Sequence, residues 1–558
     1  MSFEQVFVEQ AEYLADDSFT QWHAEHPDEK IIIKKLTQGG AKLISGPRGC
    51  GKTTLMLKGF HTMVHNPDAA FPVYVNYKRS LSIEPIYKTG TDGTYWFNQW
   101  VILKLYLGIY ATLDRLNSNL EMSISREDAT KAASLLEMSN ASKVNLQTLS
   151  VPVLEADIHR VIERLNRNRC VLLLDDAAHA FSVDQQRDFF DFFRQIKSQA
   201  ISPKAAVYPG VTNYSSSFHV GHDAEQIDVW IKPDREAYLR FMHAFIQTRF
   251  PEAIANTLTN SEAIDLLSYA SFGIPRTLLN MLQELSIEKN GELEKINLSR
   301  TDVLRAIKQH FTNTKKLFTS LSAKLPVYKS FISTGEVILS NAIGLVKAYN
   351  KEKGTDKQSV SIAISSEDLS HEMSKVFALF QYAGLCIPKD ELVSRGEKGR
   401  FQIYTLHYAG LIDSNALIGA KSLSIQDYVT AFSKRNAHEF TRTRSINLIG
   451  KAKPDHAFAL SLPPCSVCQT PRLFEDAKFC AKCGTPLTIP STYLSLMNAD
   501  IDELPLTKIR LQKIKEQSSI RKIKDILYDH EHSELLSIDR IGKYWAARIV
   551  GLAEEFVE

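Results

Sequence analysis

Over the first two hundred or so residues, short apolar runs of strand length alternate with longer segments whose apolar residues recur at helical spacing. The runs Ala41–Ile44, Pro72–Tyr77, Cys170–Leu174 and Ala205–Val211 predict buried parallel strands, because a strand covered on both faces need not alternate. Between them, Thr54–Leu57 opens a helix, and Tyr95, Trp96, Phe97 and Trp100 make an aromatic stripe that reads as core. Ahead of the first run, Phe7, Ala11 and Leu14, then Glu29 to Leu36, form an amphipathic lead-in. Residues 231–312 alternate helical segments with polar breaks such as Thr259-Asn260-Ser261, which predicts a helical layer. From 318 to 415 the pattern becomes helix, helix, hairpin. Ser366 precedes a helical run from Glu367 to Tyr382, Gly384 ends it, and Leu385–Ile387 and Phe401–Tyr404 flank a turn from Arg395 to Arg400. Residues 416–463 read as a basic connector, carrying Lys434, Arg435, Arg442, Arg444, Lys451 and Lys453.

Length changes this picture in one respect: 558 residues exceed a single core and imply about three to five domains. Net charge of +2 and pI near 8.0 confine any basic binding surface to a local patch. Glu4 and Glu9 stand where a signal peptide would be basic, and the apolar stretch Val101–Leu113 is interrupted by Lys104. A cytoplasmic protein without a membrane span is expected. Of seven cysteines, Cys465, Cys468, Cys480 and Cys483 cluster, while Cys50, Cys170 and Cys386 are scattered. Two Cys-x-x-Cys knuckles at hairpin separation can surround one Zn²⁺ with four thiolates, leaving no open position for catalysis. Residues 464–490 resemble a zinc ribbon, with a structural metal.

The candidate chemistry lies after the first strand. Gly46-Pro47-Arg48-Gly49-Cys50-Gly51-Lys52-Thr53, followed by Thr54, is a complete G-x-x-x-x-G-K-T loop between strand and helix. Its backbone N–H groups and the helix N-terminus cradle phosphates, Lys52 reaches the terminal phosphates, and Thr53 offers a hydroxyl to Mg²⁺. A second strand end, Asp175-Asp176, supplies carboxylates: Asp175 to hold Mg²⁺ through water and Asp176 to polarise the attacking water.

These motifs, with the polar strand end at Thr212 and Asn213 and the sequence Gly273-Ile274-Pro275-Arg276, resemble an AAA+ ATPase of the origin-recognition, or initiator, clade. The resemblance covers about residues 30–312 by motif placement. It implies an α/β P-loop NTPase core over 1–230, with parallel sheet and flanking helices, and a helical lid over 231–312. It also implies that Thr212 or Asn213 senses the γ-phosphate, that Arg276 touches it from the lid, and that a winged-helix domain follows over 318–415. Arg395, Lys398 and Arg400 would then meet DNA phosphates. Residues 498–558 resemble the C-terminal domain of the RNA polymerase α subunit, a small all-α helix-hairpin-helix module, with Lys543 and Arg548 as its DNA contacts. ATP, Mg²⁺ and Zn²⁺ are the expected cofactors, and DNA, a protein partner and an ATP-dependent homo-oligomer the expected partners. Asp176, where the family has Glu, keeps a STAND-like signalling or defence switch open as an alternative; a transposition-type DNA-targeting ATPase is a third reading.

Overall fold

The computed structural model describes residues 6–8, 19, 21–89, 92–177, 182–289, 291–354, 358–389, 393–394, 399–417, 423–434, 440–450, 454–472, 474, 477, 479–487 and 491–557. After helix α1 (Glu29–Thr37), strands β1 (Lys42–Ser45), β2 (Phe71–Asn76), β3 (Cys170–Asp175), β4 (Ile201–Val207) and β5 (Glu225–Asp228) form one sheet in the order β2-β3-β4-β1-β5. Every pairing is parallel, with Ile44 opposite Ala206 and Val75 opposite Leu174. All of β3 and β4 is buried, which explains why their sequences are runs and not alternations. The order sets the acidic end of β3 one strand away from the loop that follows β1. Helix α2 (Lys52–Val64) starts at that loop, and α3 (Gly93–Arg115) carries the aromatic stripe into the core, where Trp100 meets Tyr77 edge-on at 5.5 Å. Helix α4 (Val183–Gln195) follows β3.

Helices α5 (Tyr238–Arg249), α6 (Glu262–Ala270) and α7 (Pro275–Glu284) make the expected helical layer. A two-stranded hairpin, β6 (Ser286–Lys289) with β7 (Glu292–Ile296), interrupts it. Its strands are mostly exposed and polar, so no apolar pattern announced them. Helix α8 (Arg300–Lys324) then runs unbroken through 312–318, where the sequence reading set a domain boundary.

Helix α9 (Lys329–Lys353) packs on α8 beneath a second sheet of β8 (Ser361–Ser365), β9 (Cys386–Pro388), β10 (Val393–Ser394), β11 (Arg400–Leu406) and β12 (Thr441–Thr443). Its order is β10-β11-β8-β12, with β9 also on β11. Because β12 pairs parallel with β8, part of the expected connector is a strand of this sheet. Between β8 and β9, helix α10 (His371–Ala383) begins four residues later than Ser366 suggested. Ser366 still belongs to the sheet edge, donating its N–H to Arg400 O at 2.9 Å, and Ser370 is the cap. Gly384 ends the helix in the left-handed region, as expected.

The stretch Pro326–Lys353 has a mean hydropathy of 1.2 over its most apolar window, long and apolar enough to cross a membrane, which the sequence reading had not noted. Its buried face, including Phe331, Ile338, Leu339 and Val346, packs against α8, α10 and β8, as a core helix does. The same core joins Leu55 of α2, Phe272 before α7 and Phe377 of α10, so the boundaries at 230 and 312–318 are not breaks in packing. Helix α11 (Ile425–Ser433) adds to it, with Phe432 stacked on Tyr408 at 4.2 Å. A separate small core ends the chain around Ile501, Ile514, Ile526 and Ile549 of helix α12 (Lys543–Val557), and Leu81 from the first domain enters it.

The tightest seam between the first domain and the second sheet is Gly210. It has φ +75, and a Cβ there would stand 2.5 Å from the backbone carbon of Ala378 in α10. Gly210→Val is therefore expected to lower stability by about 1–3 kcal/mol, from left-handed strain and forced separation of α10. Thermal and urea unfolding of the full chain check this; a wild-type profile would mean that the seam is not closed.

Candidate nucleotide site and metal centre

The loop after β1 turns on Gly49 (φ +81) and Gly51 (φ +102), and α2 begins at Lys52. A Cβ on Gly49 would lie 3.2 Å from Cβ of Arg276, so this glycine lets the lid approach the loop as well as turning it. Lys52 is buried and folded back on its own loop. Its Nζ donates to Gly46 O (2.8 Å) and Pro47 O (2.9 Å) and lies 3.7 Å from the centre of the Tyr208 ring. Burial pushes its pKa down, opposed by Cys50, Asp176 and Asp175. Cys50 is buried with its thiol pushed up, an inert small residue within the loop.

Asp175 and Asp176 differ. Asp175 is fully buried, and its carboxylate accepts from Tyr74 OH (3.0 Å) and from Asp176 N (3.0 Å). Asp176, in the left-handed region at φ 49, lines the pocket and accepts from Tyr208 OH. A cleft between loop and lid is bounded by Arg48, Lys52, Thr53, Asp176, Tyr208 and Arg276.

The expected sensors at 212 and 213 are not brought into this cleft. Thr212 Oγ1 accepts from Tyr208 N (2.9 Å), closing the turn after β4, and Asn213 donates through N (2.7 Å) and Nδ2 (2.8 Å) to Gln186 of α4. Because β4 ends at Val207, the side chain that reaches the cleft is Tyr208. Sequence reasoning passed over it as strand.

It also missed the other end of the pocket. Trp22, His23, His26, Phe241 and Arg249 continue the cleft away from the phosphate loop. Arg249 lies over the Trp22 ring at 5.3 Å, and His26 Nε2 is 3.3 Å from Val229 O. Trp22 Nε1 and His23 Nδ1 are buried with no hydrogen-bond partner among the described residues, as is Arg276 Nε. An aromatic chamber holding unpartnered polar atoms beside a glycine-rich loop fits a nucleotide, base at one end and phosphates at the other. Trp22 and His23 sit in a polar stretch with no periodicity, so nothing in the sequence pointed to them.

One further side chain enters the cleft from 279 residues away. Glu555 of α12 sets Oε1 3.1 Å from Nη1 of Arg276 and 3.9 Å from Nη2 of Arg48, and its backbone oxygen accepts from Arg48 and Lys324, both at 3.2 Å. Burial pushes the Glu555 carboxyl up, yet Arg48, Arg276, Arg548 and Lys324 together hold it down at about 2.

That contact accounts for Arg548. It is half-buried and electrostatically coupled to Glu555, facing the domain seam where an open DNA-contacting face was expected. Lys543 is exposed at the first position of α12, and the turn before it is made by Arg540 (φ +65), not by Gly542. Arg400 is exposed at the start of β11, while Arg395 and Lys398 lie outside the described residues. Helix α10 is largely buried: Tyr382 meets Tyr208 at 5.7 Å, and Lys375 lies over Tyr328.

The four clustered cysteines converge, with all sulfurs within 4.8 Å of one another. Cys465 and Cys483 are 3.5 Å apart, as are Cys468 and Cys480, near the edge of about 3.8 Å of a tetrahedron with Zn–S bonds of 2.3 Å.

No protein-family profile matches the chain, and a search of curated proteins finds no match. Among solved structures, the ORC1 protein of Aeropyrum pernix in complex with DNA overlaps at a TM-score of 0.30 and 13% identity, over 74% of this chain and 94% of that one. The ORC2 protein of the same organism, in ADPNP–ADP complexes, gives 0.32 and 11% over 77% and 97%, and CDC6P from Pyrobaculum aerophilum 0.28 and 12% over 75% and 98%. Overlaps this loose decide neither fold nor function, and the reading below rests on the chain's own geometry.

The purified protein is expected to carry one Zn²⁺ per chain. Cys480→Ala should lose that metal and local order around 465–485 without altering the melting of the remainder. Metal analysis with amide exchange checks both; zinc-free reduced protein would refute the site.

Proposed function

We propose that the chain is an ATP-binding and ATP-hydrolysing AAA+ protein whose nucleotide state controls its conformation, and that DNA is its partner. The observation that carries the first part is the single cleft gathering the phosphate loop, Asp176 and Arg276. In it the loop N–H groups and Lys52 hold the phosphates. Thr53 and, through water, Asp175 would hold Mg²⁺, which would supply charge neutralisation of the phosphates. Asp176 takes the attacking water, and Tyr208, hydrogen-bonded to Asp176 and packed on Lys52, keeps those two groups in register. Arg276 reports from the lid, so loss of the terminal phosphate loosens lid from loop.

The DNA reading is supported by exposed Lys508, Arg521, Arg540 and Lys543 on the C-terminal domain and by Arg400. Its basic face is partly neutralised within the domain. Lys513 pairs with Asp539 at 3.0 Å, Lys515 pairs with Asp502 at 2.6 Å, and Arg510 stacks 3.3 Å over Trp545. Contacts of this kind grip phosphates and carry little base identity.

Lys52→Ala should lower ATP affinity by about 100-fold in a folded chain, whereas Asp176→Asn should keep affinity and lower turnover by about 10²-fold. Calorimetry and phosphate release separate the two; unchanged turnover in Asp176→Asn would assign the water to another group. For DNA, Lys543→Glu should weaken duplexes of unrelated sequence equally and flatten the slope of log K against log salt by about 0.9. No duplex binding by the wild type at low salt, with or without ATP, would remove DNA and favour a protein-sensing switch.

A further inference from the structure

The carboxylate of Glu555 enters the cleft at Arg48 and Arg276, cations suited to phosphate. Three of the four charges that act on it most strongly, Arg48, Arg276 and Lys324, belong to the loop, the lid and helix α8; Arg548 alone comes from its own helix. Glu555 lies more than five hundred residues from Arg48 in sequence, and nothing in the folding of the loop requires it. Lys52 is engaged elsewhere, on Gly46 O and Pro47 O. The cleft is thus divided: the cations of the loop's near end face its own carbonyls, and those of the far end face a carboxylate delivered by the C-terminal helix. Arg276 keeps its Nε buried and without a hydrogen-bond partner among the described residues, so a single carboxylate leaves part of the guanidinium's donor set unused. An anion with three terminal oxygens would use more of it.

We propose that Glu555 is an intramolecular stand-in for the terminal phosphate of a nucleoside triphosphate, so that the C-terminal domain stays docked on the core until a triphosphate takes Arg276 and Arg48 from it. The inference rests on the nucleotide-binding reading above and adds to it a ligand that the chain carries itself. It also separates two nucleotides. A diphosphate reaches the loop and Lys52 and leaves Glu555 in place; a triphosphate brings further negative charge to the far end, where it and a buried carboxylate repel.

Away from Glu555, the domain meets the core through the Glu84 carboxylate, which accepts from Ser491 Oγ (2.9 Å) and Tyr493 N (2.8 Å), through a hydrogen bond from Gln283 to Tyr544, through Leu81 inserted among its apolar residues, and through the helix Thr492–Met497 packed on α8. Displacement of Glu555 also takes its carboxylate away from Arg548 of α12 and its backbone oxygen away from Lys324 of α8, so that one local exchange of anions is felt on both helices.

The test uses the full chain and two nucleotides, ADP and a non-hydrolysable triphosphate analogue, each with Mg²⁺. Glu555→Gln keeps the shape of the side chain and removes its charge. If the docked state holds about 90% of the free protein, calorimetry should find the analogue bound about tenfold more tightly by the variant and ADP changed by less than about twofold. Equal shifts for both nucleotides, or none for either, overturn the inference while leaving nucleotide binding intact. Absence of binding of both nucleotides to the wild type overturns the underlying reading instead, and this one with it. Because the variant may alter docking by itself, the unaltered protein supplies the second measurement: amide hydrogen exchange of residues 543–557. Exchange should be faster with the saturating analogue than with ADP or no nucleotide. Unchanged or slower exchange with the analogue overturns the proposal.

Discussion

Lys52, Arg48 and Arg276 gather positive charge in one poorly solvated cleft, and the fold must keep those cations from driving one another apart. The chain does so with internal acceptors. Lys52 turns onto two loop carbonyls and the face of Tyr208, and Arg276 and Arg48 turn onto Glu555. Each acceptor sits on a different element: the loop, the end of β4 and the last helix. The position of those elements is therefore tied to the state of the cleft, and the left-handed turn that aims Asp176 at Tyr208 belongs to the same balance.

The parallel sheet, the phosphate loop and the cysteine cluster were legible because each leaves a local mark. A strand buried on both faces is an uninterrupted apolar run, a phosphate loop needs glycines at fixed offsets, and thiolate pairs need a knuckle. Arg276 was legible for the same reason, as part of a Gly-x-Pro-Arg step into a helix. What escaped was set by packing between distant segments. Thr212 and Asn213 are polar residues at a strand end, but Tyr208 N takes up the Thr212 hydroxyl and Gln186 takes up Asn213, and the aromatic residue Tyr208, four positions before Thr212, reaches the cleft. Trp22 and His23 lie in a stretch without period or motif, Glu555 lies at the end of a helix of another domain, and only the fold brings them to the loop.

Domain limits were the least legible feature, for a related reason. Composition shifts near 230, 312 and 416 suggested separate units, yet apolar side chains from all three regions share one core. A connector rich in lysine and arginine contributes β12 to the second sheet because an edge strand needs only three residues of pairing, too few to show a pattern. Likewise the run that forms α10 showed only its helical period, whereas its aromatic residues and the missing side chain of Gly210 fix it against the first domain.

Helix α8 deserves a mechanical reading. Its 25 residues make a rod of about 37 Å. Arg300 near one end donates to Leu423 O (2.8 and 3.1 Å), and Lys324 at the other donates to Glu555 O (3.2 Å). Between those ends its buried face, with Val303, Ile307, Phe311, Phe318 and Leu321, lies in the shared core, so the rod moves only together with what packs on it. The second sheet, whose underlying α9 lies along this rod, would feel an event in the cleft as a displacement, with no need for a chain of rearranged side chains between them.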